Sequence, residues 1–192
     1  MTFLTRTRSC QSLSPRLRER ATDGRVLVFG AAVRLLHWTL AAVIVFDFVV
    51  DDGGPLHRGI GYVAAGVVVL RLLRAAWARG DEDLRSLKPS LARTLAYLRR
   101  GTPRTVGHDP LGLWMVWLLW TLVLLLGVTG WMTHLDAFWG DDRLHAVHSV
   151  LADALLVAAV LHVMGVAVMS WRWRENLPAA MVTGKKRREE PR

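Results

Sequence analysis

Four long apolar runs constrain the fold of this 192-residue chain more than any other feature. They lie at about 31–50, 56–77, 111–132 and 144–171. A helix of about 20 apolar residues crosses the hydrocarbon core of a bilayer, and each run reaches that length. A helix also satisfies its own backbone polar groups, as a segment in hydrocarbon must. The sequence therefore predicts an all-α fold, an integral membrane four-helix bundle.

The basic residues indicate how this bundle is oriented. All but two of the 25 Lys and Arg residues lie before or at the start of the first run, from the end of the second run to the third, or after the fourth run. Basic connections stay on the cytoplasmic side. We therefore expect cytoplasmic N and C termini and a location in the bacterial inner membrane. A nucleic-acid binder is the competing interpretation of the +9 net charge, but the long apolar runs separate the charges and exclude it.

The remaining segments divide the chain into three parts. Residues 1–24 lack an apolar core and are predicted to be a disordered basic leader, with a misassigned start as the alternative. Residues 25–183 form the membrane domain, in which 89–100 is expected to be an amphipathic surface helix. Residues 184–192 are predicted to be a charged, mobile cytoplasmic tail. The single cysteine excludes an internal disulfide, covalent c-type haem and cysteine-ligated iron–sulfur clusters.

Four histidines fall into two depth-matched pairs. His148 and His162 lie fourteen residues apart in the fourth run, which in a helix is about 21 Å of rise and about 40° of rotation. His57, at the start of the second run, matches the depth of His148, and we call these two residues the outer pair. His37, in the first run, matches His162, and these two are the inner pair.

Paired imidazoles at membrane depth predict a prosthetic group. Ionisable side chains are costly there, so a set of them indicates function. Two axial histidines suit low-spin haem iron, whereas zinc or non-haem iron usually needs further ligands in the same layer. Interhelical hydrogen bonding is the ordinary explanation for one such histidine alone. His145 competes with His148, but it is about 100° from the face of His162, so we favour His148.

Other residues are candidates for holding the same group. Arg71 follows His57 by fourteen residues and should face the inner pair, where a guanidinium could bind haem propionates. Snorkelling to the interface is the alternative. Arg34, one turn before His37, is a second candidate. Gly61 and Gly130 could give a porphyrin flat space between helices, although close helix packing is as common a reason for glycine.

Six short motifs together resemble a known family. They are VRLLHW at 33–38, LHRGIGY at 56–62, GHDPLG at 107–112, LHV at 161–163, RENL at 174–177 and MVTG at 181–184. In order and spacing they resemble the bacterial cytochrome b561 family, especially the cytochrome b subunit of nickel–iron hydrogenases. The resemblance covers about residues 25–188.

The resemblance implies two non-covalent haem b groups. His57 and His148 would ligate the outer haem, and His37 and His162 the inner haem. Relatives exchange electrons with quinone, which would bind near the inner haem, here beside His108 and Asp109. His108 could equally cap a helix or bind lipid phosphate.

The resemblance leaves the partner and some rival functions open. We expect an electron-transfer subunit rather than an independent catalyst, working with a periplasmic cytochrome c or a dehydrogenase or hydrogenase subunit. The outer connections are short and offer no large docking surface, and their acidic residues favour a cationic partner. A homodimer remains open. The alternatives are a freestanding superoxide or quinone oxidoreductase, a haem-free metal carrier and a structural membrane anchor.

Overall fold

The computed structural model describes residues 25–50, 53–77, 84, 86–102 and 109–187. The predicted leader, 1–24, and the end of the predicted tail lie outside the described residues. A short 3-10 turn, Asp136–Phe138, joins the helices Pro110–Met132 and Asp142–Arg172. In chain order the elements are β1 Arg25–Leu27, α1 Ala31–Val49, α2 Pro55–Trp77, α3 Leu91–Arg99, α4 Pro110–Met132, α5 Asp142–Arg172, α6 Leu177–Thr183 and β2 Lys185–Arg187.

Four of these helices, α1, α2, α4 and α5, are long and apolar enough to cross a membrane. Their lengths are 19, 23, 23 and 31 residues. The mainly helical structure confirms the predicted all-α fold, and each predicted run agrees with its helix to within two residues at either end. Most large apolar side chains on their surfaces are exposed, as lipid-facing residues are in a bundle this small.

The ends of the spanning helices follow local sequence signals. The Asp109 carboxylate accepts a hydrogen bond from the Gly112 backbone N–H at 3.2 Å, and Pro110 begins α4. This is the favoured start of a helix, because a side-chain oxygen satisfies a free N–H and proline needs none. Asp141 caps α5 in the same way, accepting from the Arg143 N–H at 2.8 Å.

The core lies at the middle of the bundle, where α2, α4 and α5 meet. Its buried members are Ala64, Val68, Leu122, Val123, Leu155 and Ala158. Two of the helices approach closely, because a Cβ added at Gly127 would lie only 2.9 Å from the Cβ of Ala65. Small residues at such crossings let membrane helices pack by direct contact. Along the sequence, this core separates the outer pair from the inner pair.

The predicted amphipathic helix is present as α3 and packs against α4. Ser90 caps it, and the hydroxyl of Thr94 accepts a hydrogen bond from the Trp114 indole at 3.2 Å. The Trp117 indole donates to the backbone oxygen of the buried Leu87 at 2.8 Å. The connection between the second and third spans is therefore fixed to the bundle by two tryptophans of α4.

The predicted mobile tail is wrong for its first residues. β2 pairs antiparallel with β1, so that Leu27 is opposite Lys185. Lys186 is only 7% exposed, and its ammonium lies 5.5 Å from the centre of the Phe29 ring. From the sequence alone these charged residues are expected to be solvated, because the strand that pairs with them is about 160 positions earlier in the chain. The pairing joins the two ends of the described chain on one side of the bundle.

Candidate functional site

The outer pair is assembled by the first turn of α2 and the beginning of α5. The rings of His57 and His148 have centroids 6.3 Å apart and planes at 84°. His145 does not take part, since its Nδ1 lies 3.0 Å from the Asp141 backbone oxygen in its own first turn. The structure thus places His148, rather than His145, opposite His57.

The inner pair has the same spacing on α1 and α5. The rings of His37 and His162 have centroids 6.3 Å apart and planes at 60°. The adjacent Trp38 ring meets His37 edge-on at 5.4 Å. Its indole N–H donates to the Met181 backbone oxygen at 3.4 Å, which ties this part of α1 to α6.

This common spacing fits one metal ion between the rings of each pair. A histidine nitrogen binds a metal at about 2 Å, so two imidazoles on opposite sides of one ion have centroids about 6 Å apart. Within the described ranges, no group of three or more His, Cys, Asp or Glu side chains could hold an ion. Each pair can therefore supply two axial ligands but not a complete protein coordination shell, which matches iron held by a porphyrin.

Both outer imidazoles have a close partner at Nδ1. Asp47 Oδ1 lies 3.0 Å from His57 Nδ1, and Thr129 Oγ1 lies 2.7 Å from His148 Nδ1. The sequence argument missed both partners. Asp47 carried a signal, as a carboxylate near the end of a span and only ten residues before His57. Thr129 carried none, because nothing in sequence relates it to a histidine nineteen positions later.

The glycines near the pairs have different surroundings. A Cβ added at Gly61 or Gly165 would meet nothing within 4 Å. These positions follow His57 by four residues and His162 by three, so open space lies on the same helix faces as the imidazoles. A Cβ at Gly130 would lie 3.3 Å from His148 Cε1. Gly130 therefore makes room for the imidazole, whereas Gly61 borders open space.

The two candidate arginines are placed differently. Arg71 is 8% exposed, and its guanidinium carbon lies 5.7 Å from the centre of the Trp120 ring. A buried guanidinium on an indole face is a cation–π contact, and it keeps this cation inside the bundle. Arg34 uses one terminal nitrogen to donate a short hydrogen bond to the Val182 backbone oxygen of α6. His108 lies outside the described residues, and the neighbouring Asp109 is the cap of α4.

A four-helix membrane bundle with a pair of facing imidazoles at each of two levels defines a membrane protein of the haem-binding cytochrome class. The family model described as prokaryotic cytochrome b561 matches residues 28–184. The chain belongs to this family, which confirms the resemblance seen in its motifs. It is a multi-pass bacterial membrane cytochrome of b type that takes part in electron transport and binds haem b. No curated protein and no solved structure is significantly similar to it.

Proposed function

We propose that the protein holds two haem b groups and transfers electrons across the inner membrane between quinone and a periplasmic redox partner. The observation that carries this proposal is the equal 6.3 Å centroid separation of the two imidazole pairs. When bound, haem b supplies a one-electron carrier. His57 and His148 would hold the haem iron at the outer level, and His37 and His162 would hold it at the inner level.

Other residues support this arrangement. Arg71 follows His57 by fourteen residues on α2, as His162 follows His148 on α5, so it lies near the level of the inner pair. A buried guanidinium there is suited to bind haem propionates, and Arg34 is the second candidate on α1. The open space beside Gly61 and Gly165 would leave room for the macrocycle.

The charges at the two ends favour different partners. Three carboxylates at the outer end precede or begin α5, Asp136, Asp141 and Asp142, and Arg143 is the next residue. An acidic surface favours a cationic protein, such as a periplasmic cytochrome c or a cationic face of a dehydrogenase or hydrogenase subunit, over anionic superoxide. The inner end carries most of the basic residues of the chain, which supports a cytoplasmic location for it, with quinone exchanging electrons there near Asp109.

Haem content tests the ligand assignment. We expect the purified protein to show b-type bands in a reduced-minus-oxidised spectrum, and two haems per chain in a pyridine haemochrome assay. His57→Ala or His148→Ala should each remove the same haem, and His37→Ala or His162→Ala the other. His145→Ala and His134→Ala are the matched controls and should keep both. A protein without haem, or a folded His148→Ala variant with both haems, would contradict the proposal.

Reconstitution tests the partners. In proteoliposomes, quinol should reduce both haems, and a cationic cytochrome c on the outer side should reoxidise them faster at low salt than at high salt. Asp136→Asn with Asp142→Asn should slow this reoxidation and leave quinol reduction unchanged. If superoxide reduced the haems rapidly and these substitutions accelerated the reaction, a freestanding superoxide oxidoreductase would be the better assignment.

A further inference from the structure

The two imidazole pairs differ in whether polar side chains contact their ring nitrogens. Asp47 and Thr129 each contact the Nδ1 of an outer imidazole. In the part of the chain that the structure describes, neither His37 nor His162 makes a hydrogen bond. The outer pair is therefore held by a second set of polar groups that the inner pair lacks within those residues.

The hydroxyl of Thr129 is placed so that it can accept a hydrogen bond from His148. It lies 2.9 Å from the Leu125 backbone oxygen and 3.2 Å from the Leu126 backbone oxygen. These oxygens can only accept, so a hydroxyl proton directed to either of them leaves the Thr129 oxygen as the acceptor for His148 Nδ1. His148 Nδ1 then carries the proton of the 2.7 Å contact, and its Nε2 keeps a lone pair for a metal.

The carboxylate of Asp47 lies beside His57 Nδ1 as a charged partner, without the alignment of a hydrogen bond. Its Oδ1 lies 3.0 Å from His57 Nδ1, and an ionised carboxylate at that distance favours the tautomer with the proton on Nδ1, which leaves Nε2 free to bind. The two axial ligands of the outer level thus have unlike partners, a neutral hydroxyl and an anion. A charged acceptor draws the Nδ1 proton more strongly than a neutral one and makes the imidazole the stronger electron donor.

We propose that Asp47 is a positioning residue for the outer haem: its negative charge beside Nδ1 favours one tautomer of His57 and lowers the midpoint potential of that haem. This inference rests on the proposed function, since it requires a haem between His57 and His148. A more strongly donating ligand beside an anion stabilises the oxidised iron, which carries one more positive charge than the reduced iron. We expect the change in midpoint potential at the outer haem alone, because the histidine that Asp47 contacts, His57, belongs to the outer pair.

Potentiometric titration of the full-length haem-loaded protein tests the proposal. The outer haem is identified as the component that His57→Ala removes. Asp47→Asn keeps the size of the side chain and replaces the anionic acceptor with a neutral one. Thr129→Val removes the neutral partner of His148, and Asp142→Asn removes an exposed carboxylate from the same end of the bundle without touching a ligand.

In Asp47→Asn we expect the reduced-to-oxidised ratio of the outer haem, measured at its wild-type midpoint, to rise at least tenfold, a shift of about 59 mV for one electron. The inner haem should change less than twofold. Asp142→Asn should change either haem less than twofold, and Thr129→Val should shift the outer haem less than Asp47→Asn does. The low-spin electron paramagnetic resonance signal of the outer haem should move in Asp47→Asn and stay in place in Asp142→Asn.

Two results would overturn the proposal: an outer midpoint in Asp47→Asn within twofold of wild type, or equal shifts of both haems. If Asp47→Asn loses the outer haem, Asp47→Glu decides. Retention of that haem near the wild-type potential supports the role of the carboxylate, and loss in Asp47→Glu as well rejects it. A wild-type protein without an outer haem would instead reject the proposed function.

Discussion

Gly130 of α4 faces the imidazole of His148, so closely that an added Cβ would lie 3.3 Å from His148 Cε1. The Nδ1 atom of the same ring forms a hydrogen bond with Thr129 Oγ1 at 2.7 Å. Adjacent residues of one helix therefore determine where a proposed haem ligand on another helix can lie. This contact makes position 130 a sensitive test of the outer level.

Enlarging Gly130 should selectively weaken the outer haem. In Gly130→Val, a branched side chain would push the His148 ring out of line with His57, so we expect loss of the outer haem and retention of the inner one. Gly130→Ala, which needs the ring to yield only a few tenths of an ångström, should lower the affinity less. The measurement is the number of haems per chain, and the outer haem is identified as the spectral component that His57→Ala removes.

The matched control for this prediction is Gly66, an exposed helical glycine of α2 where an added Cβ meets nothing within 4 Å. Gly66→Val should keep both haems. If Gly130→Val lost both haems or neither, the contact with His148 would not be what makes position 130 sensitive.

Replacing Arg71 should affect the inner level. Arg71→Gln removes a buried cation that lies over Trp120, and we expect weaker retention of the inner haem and a lower midpoint potential for what remains. The physical reason is that a nearby cation stabilises the reduced iron and the propionates. Arg74→Gln, at an exposed position one turn later, is the control and should match wild type. Equal effects of the two substitutions would show that general basic charge, rather than Arg71, is responsible.

The sequence could predict the spans and the histidine pairs because both depend on distances along a helix. The rise and turn of a helix place His57 level with His148 without any knowledge of packing. The preference for His148 over His145 came from the same periodicity. The partners of these imidazoles depend instead on which helices are neighbours. For that reason Thr129 could not be found, and the contact of Gly130 with His148 could not be distinguished from space for a porphyrin.

The sheet between β1 and β2 could not be predicted for a similar reason. Each strand has only three residues, and β2 consists of Lys185, Lys186 and Arg187. Such a segment has no strand periodicity to detect. Its order comes from tertiary contacts, including the Arg187 N–H that donates to the Glu175 carboxylate at 2.8 Å.

Gly184 should be required for this sheet. Its φ is +79°, and an added Cβ would lie 2.6 Å from the Phe29 backbone oxygen. Gly184→Ala therefore combines a left-handed backbone, which costs about 1–2 kcal/mol for a residue with a side chain, with a clash against fixed backbone. We expect a lower melting temperature and faster proteolysis after residue 184.

Gly140→Ala separates the two effects of this substitution. Gly140 also has a positive φ, +73°, but an added Cβ meets nothing within 4 Å. It should lower the melting temperature less than Gly184→Ala and leave proteolysis at the end of the chain unchanged. Equal losses in the two variants would mean that the Phe29 contact contributes nothing.

Tyr97 should make stability depend on alkaline pH. It is 5% exposed, and burial raises the pKa of its phenol above the usual range, with a further increase from Asp109 and an opposing effect of Arg172. In the unfolded chain a tyrosine ionises near pH 10. Above that pH the unfolded state binds fewer protons than the folded state, so the free energy of unfolding falls as pH rises.

Tyr97→Phe removes this titration and should flatten the fall in melting temperature above about pH 10, the ordinary tyrosine pKa. Tyr62→Phe is the matched control, since it replaces the other of the two tyrosines, an exposed one, and leaves Tyr97 in place. It should retain the wild-type pH dependence. Because α3 is fixed to α4 through the Thr94–Trp114 contact near Tyr97, the alkaline loss should appear first as release of α3. A fall in melting temperature that is as steep in Tyr97→Phe as in wild type would assign the alkaline sensitivity to another group.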